Sequence, residues 1–135
     1  MNRESALQLL ISLLSGIEIF PGFIDELVDI IALSGRELSF IKRLAARLAV
    51  LAELGVLATA HKEFEPIEQG VFSLHVADRD YNIRILYGFL PNGAPVLLLP
   101  FYERGGKKKT DYTPYVMPAA ERLREAKEEF LDERK

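Results

Sequence analysis

The chain has 135 residues, 49% apolar and 27% charged, which is a globular composition with little room for a long disordered tail. It contains no cysteine, so disulfides, thiolate metal centres and thiol nucleophiles are excluded together, and a reducing, cytoplasmic setting is expected. The net charge of −3 is uneven: residues 1–70 carry −4, residues 71–112 carry +2 and residues 113–135 carry −1, so an anionic partner is expected to land on the middle segment.

The first twenty residues form a candidate N-terminal extension to a single domain spanning 1–135. The apolar run over residues 7–14 is broken by Gln8 and Ser12 and falls short of the roughly 20 residues that span a bilayer, so it is expected to belong to the core rather than to a membrane. Its period is ambiguous. Leu7, Leu9, Ile11 and Leu13 alternate as in a strand, while Leu10 and Leu14 suit a helical stripe. Ile17 and Ile19 read as a short strand before the Pro21-Gly22 break.

From Phe23 the period becomes helical, with Phe23, Leu27, Ile30, Ile31 and Ser34 on one side, and Ser34-Gly35 ends the helix. A second helix follows, placing Leu38, Ile41, Leu44, Ala45, Leu48, Leu51 and Ala52 together, and stops at Gly55. Residues 61–69 read as a polar connection. Residues 71–76, 81–89 and 96–101 then read as three strands joined by tight turns. Residues 103–113 read as a loop, and a final helix begins near Pro118, expected in its first turn. The fold class is α+β: an N-terminal helical hairpin packed on a small twisted antiparallel sheet, followed by a C-terminal helix.

Alternation along the second strand separates Tyr81, Ile83, Ile85, Tyr87 and Phe89 from Asn82, Arg84, Leu86 and Gly88. His75 on the first strand shares its face with Ser73, and an antiparallel register brings it towards Arg84. His75 reads either as a solvated strand histidine or as a proton carrier near neutral pH. Arg84 reads either as half of an ion pair or as a phosphate-binding fork. Arg79, Arg104, Lys107, Lys108 and Lys109 interleave with Tyr102, Tyr112 and Tyr115, a combination that holds phosphates and stacks on bases. No phosphate-loop, dinucleotide or nucleophile-elbow motif is present, and His61 and His75 lack metal-ligand spacing, so no metal or cofactor is expected.

The ordered set GVFSLHV, YNIRILYGF, VLLLPF and KKKTDYTP, with a final helix containing Ala119-Ala120-Glu121-Arg122, resembles the RelE/HigB superfamily of toxins in its phage-derived HigB-like branch. The resemblance covers residues 40–130. It implies a RelE-like fold and a ribosome-dependent mRNA endoribonuclease, or mRNA interferase, that works without metal. It also implies neutralisation by a cognate antitoxin of helix-turn-helix type. On this resemblance Arg84, His75, Tyr87, Lys107 and Lys109 are the catalytic candidates, and Arg79, Arg104, Lys108 and Tyr112 the RNA-binding ones. Ser73 and His75 stand where the family usually has Glu and Arg, and Pro100 stands where it often has His. Two further readings remain open: a catalytically inactive module that binds RNA or an antitoxin, and a homodimer driven by the N-terminal apolar segment with the lysines as solvated surface.

Overall fold

A computed structural model of the chain describes residues 1–32, 34–103 and 110–133. The elements run α1 (Arg3–Leu13), β1 (Glu18–Ile19), α2 (Phe23–Ala32), α3 (Glu37–Leu54), a 3₁₀ turn (Gly55–Ala60), β2 (Phe64–Glu68), β3 (Val71–Asp78), β4 (Tyr81–Phe89), β5 (Pro95–Tyr102) and α4 (Thr113–Glu133). The α+β class expected from the sequence holds. The sheet has five strands in the order β1-β5-β4-β3-β2, and it is mixed rather than wholly antiparallel because β1 runs parallel to β5. Among the described residues no helix is long and apolar enough to cross a membrane.

Residues 7–13 resolve as helix, with Leu14 as its C-cap. The Asn2 side chain caps α1 by accepting from the Ser5 backbone N–H, and Ala6, Leu10 and Leu14, four residues apart, are the buried positions. The stretch read as a polar connection contains β2, an edge strand paired with β3. Pro66 is tolerated there because an edge strand has one side free of ladder bonds. The β2–β3 hairpin turns on Gln69 and Gly70, both at positive φ (55° and 77°), the geometry of a two-residue turn that follows the sheet's twist.

Both faces of the sheet are covered, whereas the sequence suggested one apolar face. On one side α1, α2 and α3 pack against Leu74, Val76, Ile83, Ile85 and Tyr87. On the other, Ala119 and Leu123 of α4 pack against Val71, Leu86, Val96 and Leu98. Each fully buried side chain of this size contributes roughly 1.5–3 kcal/mol. Leu38 of α3, expected on the buried face, is exposed, as is Ala52. Pro118 lies inside α4 rather than in its first turn, since the helix already starts at Thr113.

The layers are tied across the β1–β5 edge. Register shifts between β4 and β5 so that Leu86 faces Leu99 and Tyr87 faces Leu97, leaving Leu98 as an extra residue. Arg122 of α4 donates to the Leu98 carbonyl (2.7 Å) and makes a two-pronged pair with Glu26 of α2 (2.6 and 2.8 Å). Its guanidinium also lies 4.9 Å from the centroid of the Phe20 ring.

Candidate functional site

α4 covers only one end of its sheet face. At the other end, next to the start of α4, the residues pointing the same way are polar: Ser73 and His75 from β3, Asn82 and Arg84 from β4. His75 and Arg84 are direct cross-strand partners, as the alternation and an antiparallel register require. β2 contributes Glu65 from the neighbouring edge, opposite Ser73. Glu103 is fixed just past β5 by its backbone N–H, which donates to the Asn82 carbonyl (2.8 Å).

Arg84 is the hub. Its side chain is 13% exposed, and it donates from Nε to Glu103 (2.9 Å), from Nη1 to Glu65 (3.4 Å) and from Nη2 to Thr110 (3.0 Å). Three of the guanidinium's five N–H groups are thus used by described residues. The Thr110 hydroxyl donates to Glu103, closing a triangle. The Tyr112 hydroxyl donates to Glu65 and lies 3.0 Å from the buried Ser73 hydroxyl, while its ring centroid is 5.8 Å from the Arg84 guanidinium. His75 Nε2 bonds the Asn82 side-chain oxygen, an acceptor that puts a proton on Nε2, and sits 3.9 Å from Glu103.

These contacts set the charges. Burial pushes the Glu103 carboxyl up, but hydrogen bonds from Thr110 and Arg84, with the positive charge of Arg84, outweigh it and hold the group below its ordinary value. The Tyr112 hydroxyl is pushed up to about 12, first by burial and then by its bond to Glu65, so it remains a neutral donor. Glu65 is the accessible carboxylate, with 47% of its side chain exposed against 15% for Glu103.

A pocket of about 220 Å³ adjoins the cluster, with Glu103 and Thr110 in its wall. Its aromatic side is Phe101, Tyr102 and Tyr115. Phe101 and Tyr115 stack on each other with centroids 3.9 Å apart and planes 6° apart, and Tyr112 meets Phe101 edge-on.

Of the residues expected at the site, the structure brings together His75, Arg84 and Tyr112. Tyr87 does not join them. Successive strand residues point to opposite faces, and Tyr87 falls among Phe64, Phe72 and Phe89 in the core under α1, α2 and α3, where burial raises its hydroxyl well above the ordinary value. Arg79 is exposed in the β3–β4 turn. Arg104, Lys107, Lys108 and Lys109 lie outside the described residues.

Sequence reasoning placed Asn82 on the Arg84 face without giving it a role, and gave none to Glu65, Glu103 or Thr110. The signal available was the isolated arginine among apolar strand residues, which calls for acidic partners, but their identity depends on the β2 register and the course of the chain after β5. Among the described residues no group of three or more histidine and carboxylate side chains is placed to hold a metal ion. A scan against protein-family models gives no match, and searches of curated proteins and of solved structures give none either.

Proposed function

We propose that the polar end of the sheet binds single-stranded RNA and cleaves it without a metal, with Glu65, His75 and Arg84 acting on the scissile phosphate. The observation that carries this reading is the contact between the Arg84 cluster and the aromatic-walled pocket, which share Glu103 and Thr110. A base stacked beside Tyr115 or Tyr102 leaves its phosphate within reach of the guanidinium.

In the proposed step Glu65 accepts the proton of the RNA 2′-hydroxyl and O2′ forms a bond to phosphorus. The bond from phosphorus to O5′ breaks, and the leaving O5′ takes the Nε2 proton of protonated His75. The products are a 2′,3′-cyclic phosphate and a free 5′-hydroxyl, so neither oxidant nor co-reactant is needed. Glu65 suits the base role better than Glu103, because it is the more exposed and because Glu103 is held in its ionised form by Arg84 and Thr110. Glu103 instead stands beside His75, 3.9 Å from Nε2. Arg84 faces the negative charge that gathers on phosphate oxygens, using the N–H groups that Glu65 and Thr110 yield to substrate.

The resemblance to RelE/HigB toxins extends the proposal to mRNA on the ribosome as substrate, a cytoplasmic site of action and an antitoxin of helix-turn-helix type as partner. A second reading is favoured by one observation: Glu65 and Glu103 outnumber Arg84, giving the described cluster one net negative charge while His75 is neutral. On that reading the network is structural and the chain is an inactive RNA- or antitoxin-binding module. Induced expression of the chain and of Arg84→Ala and Glu65→Gln, scored for growth arrest and cleavage of translated mRNA, separates the two. Arrest by the parent and not by the variants supports cleavage, and no effect from the parent sinks it.

A further inference from the structure

At the β1–β5 edge, on the far side of α4 from its own charge pairs, lies an open groove of about 380 Å³. Its apolar floor includes Ile19, Val96, Ala126 and Phe130. Glu125, Glu129 and Glu133 run along the α4 wall at steps of four residues, about 6 Å apart along the axis, and Glu18 of β1 stands on the opposite wall. The adjacent cation, Arg122, is already engaged by Glu26 and Leu98. Arg124 is bound to Glu121 and Glu128, well round the helix, and Lys127 projects about 100° beyond Ala126. Among the described cations Arg122 acts on one end of this rim, through its charge on Glu125, and the rim stays acidic at Glu18, Glu129 and Glu133.

We infer that this groove docks a basic amphipathic helix of another protein, with its apolar stripe on the floor and Lys or Arg at four-residue steps against Glu125, Glu129 and Glu133. Three carboxylates at helical spacing beside an apolar stripe form the complement of such a helix. Charge complementarity selects this occupant over the others. A two-fold contact with a second copy sets glutamates against glutamates, and a head-to-tail contact with the cations of α3 would build a ring or a filament rather than a pair. An anionic lipid surface is repelled. β1 is two residues long and followed by Pro21, too little free backbone for strand addition. The inference is independent of the RNA reading.

The test uses the full chain and a fluorescein-labelled 16-residue helical peptide bearing leucines on one face and lysines at four-residue steps on its border. Controls are the same peptide with Glu for Lys and a scrambled peptide of equal composition. Fluorescence anisotropy is expected to show saturable binding of the lysine peptide, weakened about tenfold or more for the scrambled one. Glu125→Lys/Glu129→Lys is expected to lose the lysine peptide and gain the glutamate peptide, with an unchanged circular-dichroism spectrum. Phe130→Ala weakens both. Equal binding of lysine and scrambled peptides overturns the inference, as does indifference to the charge reversal. Sedimentation of the chain as a dimer that Glu125→Lys/Glu129→Lys dissociates also overturns it, by making a second copy the occupant.

Discussion

Arg84 on β4 donates from Nε to Glu103, 2.9 Å away beyond β5, and both side chains are largely withdrawn from solvent at 13% and 15% exposure. A charge pair this sheltered loses more when one member is removed than when both are, because the survivor is left unpaired in a poorly hydrated place. Arg84→Ala is therefore expected to lower stability by about 2–3 kcal/mol in urea unfolding, and Arg84→Met/Glu103→Leu by less than Arg84→Ala alone. Equal losses for the two would mean that the pair is screened by water.

The depressed Glu103 carboxyl makes a pH prediction with a definite sign. Its folded-state value lies below its ordinary 4.5, so its contribution to stability is present above that value and disappears as pH falls through the depressed one. The stability difference between the parent chain and Glu103→Gln, measured by denaturant unfolding, should be constant from pH 7 down to about 5 and shrink in more acid solution. A difference that grows on acidification contradicts the assignment.

Tyr112 behaves in the opposite sense. Its hydroxyl is raised from 10 to about 12, so the stabilising neutral form is fully present below pH 10 and is lost as pH rises towards 12. Tyr112→Phe leaves the buried Ser73 hydroxyl without this partner and should cost about 1–2 kcal/mol at neutral pH. The gap between the parent and Tyr112→Phe should narrow in alkali, read from unfolding curves at pH 9 and pH 11. An unchanged gap would show that folding does not raise the value of this hydroxyl.

Gly88 on β4 lies directly against Leu123 of α4. A methyl group there would sit 2.7 and 2.9 Å from the two terminal carbons of Leu123. Gly88→Ala is expected to cost about 1–3 kcal/mol through overpacking, and Leu123→Ala about 2–5 kcal/mol through a cavity. Combined, they should cost clearly less than their sum, since the added methyl partly fills the space that Leu123 vacates. Strict additivity in thermal or urea unfolding would place α4 further from β4 than it is here.

Much of this fold is legible from local pattern. α2 and α3 follow a helical apolar period between Pro21-Gly22, Ser34-Gly35 and Gly55, β3 and β4 carry β-branched and aromatic alternation, and β5 is a continuous apolar run. β2 escaped notice because an edge strand needs no apolar run, and Phe64-Glu65-Pro66 is written in residues that usually mark a connection. The α1 segment satisfies two periods at once, and the cap from Asn2, together with four-residue spacing of buried positions, decides between them. At the candidate site the pairing of His75 with Arg84 follows from alternation and an antiparallel register. The convergence of Glu65, Glu103, Thr110 and Tyr112 does not, because each arrives from a distant part of the chain, and no local pattern encodes that meeting. Tyr87 has its place in a strand motif, but the parity of its position turns it into the core.

The central proposal is that Glu65, His75 and Arg84 act together on an RNA phosphate. The most direct measurement is mass spectrometry of RNA ends, after translating ribosomes carrying a defined mRNA are incubated with the purified chain. The account predicts new fragments ending in 2′,3′-cyclic phosphate and beginning with 5′-hydroxyl, reduced at least about a hundredfold by Glu65→Gln or Arg84→Ala. Intact mRNA with the parent chain, or fragments ending in 3′-hydroxyl and beginning with 5′-phosphate, would contradict it.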